Sequence, residues 1–217
     1  MISLRHQCIF VEIPKTGSTS IRRILGAPQV PHLDIWEIRR LMMSQLSDDK
    51  LRTERLRAGF YSLLPVDQRR RLGLSRFERF FKFGFVRNPW DRIVSLYSRQ
   101  EGDQSHRAQS FTEFVRGIRY SSATCIHPSP HVNQLDWLVD PSGHLAVDYI
   151  GRFETLERDW RHICGRIGIA DLPLPVTKKN KNKSDHYSSF YTDETRHIVA
   201  ERFRADIEFF AYEFEQV

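Results

Sequence analysis

The six positions from 15 to 20 hold one lysine, one glycine and four hydroxyl residues, Lys15-Thr16-Gly17-Ser18-Thr19-Ser20, directly after Pro14. That grouping suits an anion. Backbone N–H groups that open a helix point outward at the positive end of its dipole. Gly17 lets the main chain approach a ligand closely. Lys15 adds a mobile full charge, and the hydroxyls add donors. The order differs from the GxxxxGK[ST] loop of nucleotide triphosphatases, because Lys15 precedes Gly17 and no earlier glycine stands in the loop. A strand-to-helix turn carrying chance polar residues would look the same in isolation.

A second group lies farther along. Arg87 follows the apolar run Phe80 to Val86, and Ser95 comes eight positions later. A guanidinium at a strand end can grip a phosphate with two parallel hydrogen bonds, or pair with a nearby aspartate. Two anion-binding junctions suit a ligand with two separated phosphate groups. A hydroxyl acceptor would need a base, and histidine serves that role near neutral pH. His32 is the first candidate among nine histidines, with Asp34 and Glu37 as alternatives. His127, His131 and Gln134 sit in an irregular Ser/Pro/His-rich segment suited to shaping an acceptor cleft. The basic loop Lys178 to Ser184, including Lys181 and Lys183, could close over a nucleotide, hold an acidic acceptor, or simply be solvated.

The elements that must position these groups follow from the apolar pattern. Residues 7–13 read as a central strand that Pro14 stops, and Ser18 or Thr19 can cap the helix running through Ile21, Ile24 and Leu25. Residues 80–86 form a second strand. Asn88 then caps a helix with Pro89 at its first position, where a missing N–H costs nothing. Residues 148–153 give a third strand, followed by a helix over 157–167 that Gly168 ends. A short helix covers 111–118, one or two helices cover 33–46, and one long amphipathic helix runs from Asp193. Residues 47–79 are charged and carry no clear pattern; Arg69-Arg70-Arg71 reads there as a solvated helix face. Strands alternating with helices predict an α/β fold, a P-loop-like three-layer α/β/α arrangement with a mostly parallel central sheet and ligands at the strands' carboxyl ends. The expected organisation is a single domain over residues 1–217.

Composition narrows the classes. Lys+Arg number 33 against 27 Asp+Glu, a formal charge of +6 that favours an anionic partner. The 15 phenylalanines can supply a core. Three scattered cysteines, Cys8, Cys125 and Cys164, offer neither metal-ligand spacing nor a disulfide framework, so no metal is expected and a reducing compartment fits. No window reaches 18 apolar residues, so no membrane-spanning segment is expected.

The segment Phe10 to Ile21, FVEIPKTGSTSI, resembles the 5′-phosphosulfate-binding segment of sulfotransferases that use 3′-phosphoadenosine 5′-phosphosulfate (PAPS). Phe81 to Tyr97, FKFGFVRNPWDRIVSLY, resembles their 3′-phosphate-binding segment. The branch it is most similar to comprises carbohydrate sulfotransferases of the heparan sulfate 2-O- and chondroitin 4-O- type, with their small bacterial relatives. DYIGRFETLERDW, Asp148 to Trp160, and the tail through Tyr191 and Asp206 share the likeness. The resemblance implies that Lys15 contacts the sulfate and the bridging oxygen. Thr16, Gly17, Ser18, Thr19 and Ser20 would bind the 5′-phosphate, and Arg87 and Ser95 the 3′-phosphate. The loop that carries Lys181 and Lys183 would cover the nucleotide. His32 precedes Asp34-Ile35-Trp36-Glu37, which resembles a His-containing helix start in the bacterial relatives, and would be the base.

The expected activity is transfer of a sulfuryl group from PAPS to a hydroxyl, on a carbohydrate or another acceptor, without metal and without nucleic acid. A cytoplasmic bacterial setting is expected; a Golgi-lumen enzyme lacking its anchor would read alike. Two other readings stay open from the residues alone. One is a small-molecule kinase, which would need Mg²⁺ and a Walker-type lysine. The other is a basic binding module that keeps the donor site without catalysis. Oligomeric state is not legible.

Overall fold

A computed structural model describes residues 1–26, 32–44, 64–100, 110–118, 131–170, 173–174 and 186–216. Among the described residues four strands lie side by side in chain order: β1 (Ile2–Ser3), β2 (Cys8–Val11), β3 (Phe81–Val86) and β4 (Tyr149–Arg152). β2, β3 and β4 run parallel, and β1 adds an antiparallel edge to β2. Apart from Lys82, whose ammonium is held by the Phe77 and Phe80 carbonyls and Asp148, the β2 and β3 runs are apolar on both faces, as strands covered on both sides must be. They account for the parallel pair expected from the sequence.

Alternation along the strands sorts their side chains into two cores. Cys8, Phe10, Phe83 and Phe85 face one way and pack with Ile21 of α1 (Ser18–Ile24) and Trp160 and Ile163 of α6 (Leu156–Ile167). Phe10 and Phe83 stack with ring centroids 5.0 Å apart, and both are fully buried. Each such burial is worth about 1.5–3 kcal/mol. Ile9, Val11 and Val86 face the other way. They meet α2 (Ile35–Met43), α3 (Val66–Arg79), α4 (Pro89–Gln100), α5 (Phe111–Ile118) and α7 (Asp193–Arg202). The architecture is the expected α/β/α arrangement around a mostly parallel sheet. The α2 and α3 backbones touch at Gly73, where an added Cβ would lie 1.9 Å from the Met42 carbonyl oxygen.

Three differences from the sequence expectation have physical causes. The charged stretch before β3 contains α3, a 14-residue helix that buries only Gly73 and Phe77 and therefore shows little apolar period; Arg70 and Arg71 are exposed on it, as a solvated face would be. The Asp193 helix is not continuous. Phe203 leaves helical geometry at φ −112°, ψ 30°, and α8 (Arg204–Phe210) starts afresh. The break turns Asp206 inward, where it is fully buried. Finally, α1 has no side-chain cap: Gly17, in left-handed geometry at φ 87°, is the residue before its first turn. The Asn88 cap is present, its Oδ1 accepting from Trp90 N–H at 3.1 Å. No helix among the described residues is long and apolar enough to cross a membrane.

Candidate active site

The carboxyl ends of β2 and β3 are adjacent because the strands are parallel and in register from Cys8↔Phe81 to Val11↔Gly84. The two loops that carry the predicted anion-binding residues therefore leave the sheet side by side. Lys15, half-buried, adopts φ 71°, a left-handed conformation that costs a non-glycine residue about 1–2 kcal/mol. Something must hold it there. The Lys15 carbonyl accepts from Arg87 Nη1 at 3.1 Å, and the Pro14 carbonyl accepts from Arg92 Nε at 3.2 Å. Thr16, fully buried, donates its hydroxyl to the Ile13 carbonyl at 2.9 Å. Its side chain thus braces the loop from inside, and only its main-chain N–H is left for a ligand role. Ser18 and Ser20 are buried as well, while Thr19 is exposed.

Arg87 is the junction between the loops. Its Nε and Nη2 both reach Asp91 Oδ2, at 2.8 and 2.7 Å, and its guanidinium lies 4.1 Å from the Phe153 ring centroid. The aspartate pair weighed from the sequence therefore exists, and so does the bond to the lysine loop. Among the described residues, three of the five guanidinium N–H groups are used in this way. Ser95 is half-buried on α4 one turn beyond Asp91, so Arg87, Asp91 and Ser95 follow one face at four-residue spacing. Phe153 packs from the other side. A Cβ on Gly17 would come within 3.3 Å of it and 3.2 Å of Leu156, so glycine serves there both for its backbone angle and for this approach.

His32 arrives at the same end of the sheet. Its Nδ1 lies 2.6 Å from the Glu12 carbonyl oxygen. A carbonyl only accepts, so the proton is on Nδ1 and Nε2 is the basic nitrogen of the neutral ring. The ring edge meets Trp137, which also packs against His131 at 5.0 Å. His131 Nε2 is 2.7 Å from Asp34 Oδ2, while Asp34 Oδ1 and Glu37 Oε2 form a reciprocal capping box at the start of α2. Glu37, an alternative base from the sequence, is committed to that cap. Ligand-type atoms of Asp34, Glu37 and His131 lie within 4.8 Å of one another, but the cap and the ion pair already account for their approach.

The Asp34–His131 pair shifts both partners. Burial would raise the Asp34 carboxyl, but bonds from His131 and the Glu37 N–H outweigh it and hold it below the usual range. The bond to Asp34 raises His131 against the opposing effect of burial. The raised histidine contributes stability that is complete below its unfolded pKa of about 6.5 and is lost as pH climbs through its folded value. The depressed aspartate contributes stability that is present above about 3.9 and fades as pH falls through its lowered value. Asp34→Asn keeps a capping side chain but removes the charge. It is expected to bring the His131 titration down toward about 6.5, read from its ring resonances by NMR, and to destabilise most in the weakly acid to neutral range where both partners are charged, less at alkaline pH and less again where the wild-type aspartate is protonated.

Lys181 and Lys183 lie outside the described residues, as do His127 and Cys125. Gln134 does not line an open cleft; it is fully buried against the backbone of Arg87. Sequence reasoning missed the bracing residues Asp91, Arg92 and Phe153. The first two were visible as charged positions one turn into α4, and Phe153 as the aromatic ending β4.

A family model described as "Sulfotransferase family" matches residues 1–213. The chain belongs to the sulfotransferase family. Its relatives include carbohydrate sulfotransferase 10 of Xenopus laevis, 24% identical over 97% of this chain, and its counterpart in Homo sapiens, 25% identical over 96%. The chain spans 66% and 65% of their lengths. An uncharacterized protein of Archaeoglobus fulgidus is 30% identical over 48% of this chain and 80% of its own. No solved structure matches.

Proposed function

We propose that this sulfotransferase moves a sulfuryl group from PAPS to a hydroxyl on a carbohydrate. The observation that carries the reading is the bond from Arg87 to the Lys15 carbonyl. It joins a cationic strand-end loop and a cationic helix start side by side, an arrangement suited to two separated phosphates. PAPS has that shape, with phosphate at both the 5′ and 3′ positions of its ribose. The kinship with carbohydrate sulfotransferases supports a sugar acceptor.

In this reading the 5′-phosphate sits on the main-chain N–H groups from Gly17 to Thr19, the Ser20 N–H being given to the Gly17 carbonyl at 3.3 Å, and the 3′-phosphate on Arg87 and Ser95. The acceptor oxygen attacks sulfur in line with the bond to the 5′-phosphate. As that bond breaks, charge grows on the bridging oxygen and the Lys15 ammonium stabilises it. His32 Nε2 takes the acceptor proton, with Nδ1 anchored on Glu12 so that the ring is already oriented. The products are the sulfate ester and 3′-phosphoadenosine 5′-phosphate (PAP). Lys15 and Arg87 supply the positive charge, so no divalent ion is assigned a step.

Transfer of radiolabelled sulfate from PAPS, assayed across polysaccharides, oligosaccharides, lipids and small alcohols with and without chelator, tests the reading. Labelled carbohydrate that forms in the presence of chelator supports it. Label on none of the acceptors, or ATP turnover with magnesium, would overturn it. In the same assay His32→Ala is expected to lower kcat by about 10²–10⁴-fold, the usual contribution of a positioned base, with little change in PAP affinity.

A further inference from the structure

Gln134 is fully buried, yet the reaction scheme gives it nothing to do. Its amide spans the backbone of Arg87. The Arg87 N–H donates to Gln134 Oε1 at 2.9 Å, and Gln134 Nε2 donates to the Arg87 carbonyl at 2.8 Å. The side chain therefore acts as a one-residue strand partner at the point where β3 ends, and it satisfies both polar groups of that peptide unit. Gln134 is itself held from behind. Asp206 Oδ2 accepts from Gln134 N–H at 2.8 Å and from Gln134 Nε2 at 3.1 Å, and Asp206 Oδ1 accepts from Leu135 N–H at 2.9 Å.

Asp206 is also fully buried. Burial pushes its carboxyl up, and the Gln134 and Leu135 N–H groups and the Arg92 charge act against that. A carboxylate placed in the interior is expensive unless it is fully engaged. An apolar residue at 206 would fill the same core without that cost, so the polar pair must provide something that packing does not. What it provides is a defined position for one peptide unit, that of Arg87. The same network reaches the lysine loop through Arg87 Nη1 on the Lys15 carbonyl.

We propose that Gln134 and Asp206 are positioning residues for the 3′-phosphate subsite: they fix the Arg87 backbone so that its guanidinium, braced on Asp91 and Phe153, points at the ligand. The break between α7 and α8 at Phe203 is what delivers Asp206 to this place. The C-terminal helix thereby sets donor recognition from behind the sheet edge, without touching the donor. This inference rests on Arg87 being the 3′-phosphate contact.

The test compares two nucleotides that differ only in the 3′-phosphate, PAP and adenosine 5′-phosphate, by calorimetry. Gln134→Met keeps nearly the same side-chain volume and removes both bonds to Arg87. Its preference for PAP over adenosine 5′-phosphate is expected to fall about tenfold, the scale of a small misplacement of a binding group, while adenosine 5′-phosphate affinity stays unchanged. In turnover, KM for PAPS rises by a similar factor and kcat at saturating PAPS holds. Gln134→Asn retains the amide but is one methylene too short to span the unit, and it is expected to behave the same way; it decides the matter if the methionine variant does not fold. A folded variant that keeps the full wild-type preference would overturn the proposal, as would equal losses for both nucleotides, which indicate a general structural role. If the wild-type protein itself shows no preference for PAP, it is the 3′-phosphate assignment of Arg87 that fails.

Discussion

Lys15→Ala is expected to lower kcat by about 10²–10³-fold, the loss seen when one preorganised transition-state contact is removed. The reason lies in how the loop is held. Its shape depends on main-chain carbonyls, Pro14 on Arg92 and Lys15 on Arg87, and on the buried Thr16 hydroxyl. None of these uses the Lys15 ammonium. An alanine there pays the same left-handed backbone cost as the lysine at φ 71° and keeps these three bonds. PAP lacks the transferred group, so its affinity should change far less than turnover does. Stopped-time transfer assays and PAP calorimetry on the same preparation check this. A variant with near-full kcat would mean that the cation at the leaving oxygen comes from elsewhere.

Arg87→Ala should act mainly on binding. The guanidinium is nearly fully buried, paired with Asp91 and stacked on Phe153. Removing one member of such a pair costs about 2–5 kcal/mol, partly because the partner is left buried and unpaired. A lost buried guanidinium–phosphate contact with the ligand costs on the same scale, so PAP affinity is expected to fall by at least about 30-fold, the equivalent of about 2 kcal/mol, and adenosine 5′-phosphate affinity by much less. The melting temperature should also drop, since Asp91 and the Lys15 carbonyl lose their donor. Arg87→Lys keeps the charge without the planar fork and cannot serve Asp91 and the loop together, so it should rescue little. Equal losses for both nucleotides would make Arg87 a brace for the loop rather than a phosphate contact.

How much of this could be read before the structure depended on whether a residue's role leaves a local trace. Lys15 and Arg87 do, because each follows a mostly apolar run, broken once by Glu12 and once by Lys82, and the end of a central parallel strand is where ligands gather. β2 and β3 were legible for the same reason. The helix α3 was not, because it buries only Gly73 and Phe77 and so leaves little apolar period. The α7–α8 break was hidden because Ile198, Val199, Phe203, Ile207 and Phe210 keep helical spacing across it. Gln134 and Asp206 lie 72 positions apart, and His131 and Asp34 lie 97 apart. Pairings at that separation produce no spacing signal, and a lone glutamine in an irregular segment reads as surface. It is in fact buried against the Arg87 backbone at the end of β3.

The central claim is that one surface, built from two strand ends, takes a nucleotide with separated 5′ and 3′ phosphates. Calorimetric titration of the wild-type protein with PAP, adenosine 5′-phosphate and ATP, in the presence of chelator and then of magnesium, tests it most directly. The account predicts that PAP binds at least about tenfold more tightly than adenosine 5′-phosphate, with an affinity indifferent to magnesium. Equal affinity for PAP and adenosine 5′-phosphate, or tighter binding of magnesium–ATP than of PAP, would contradict it.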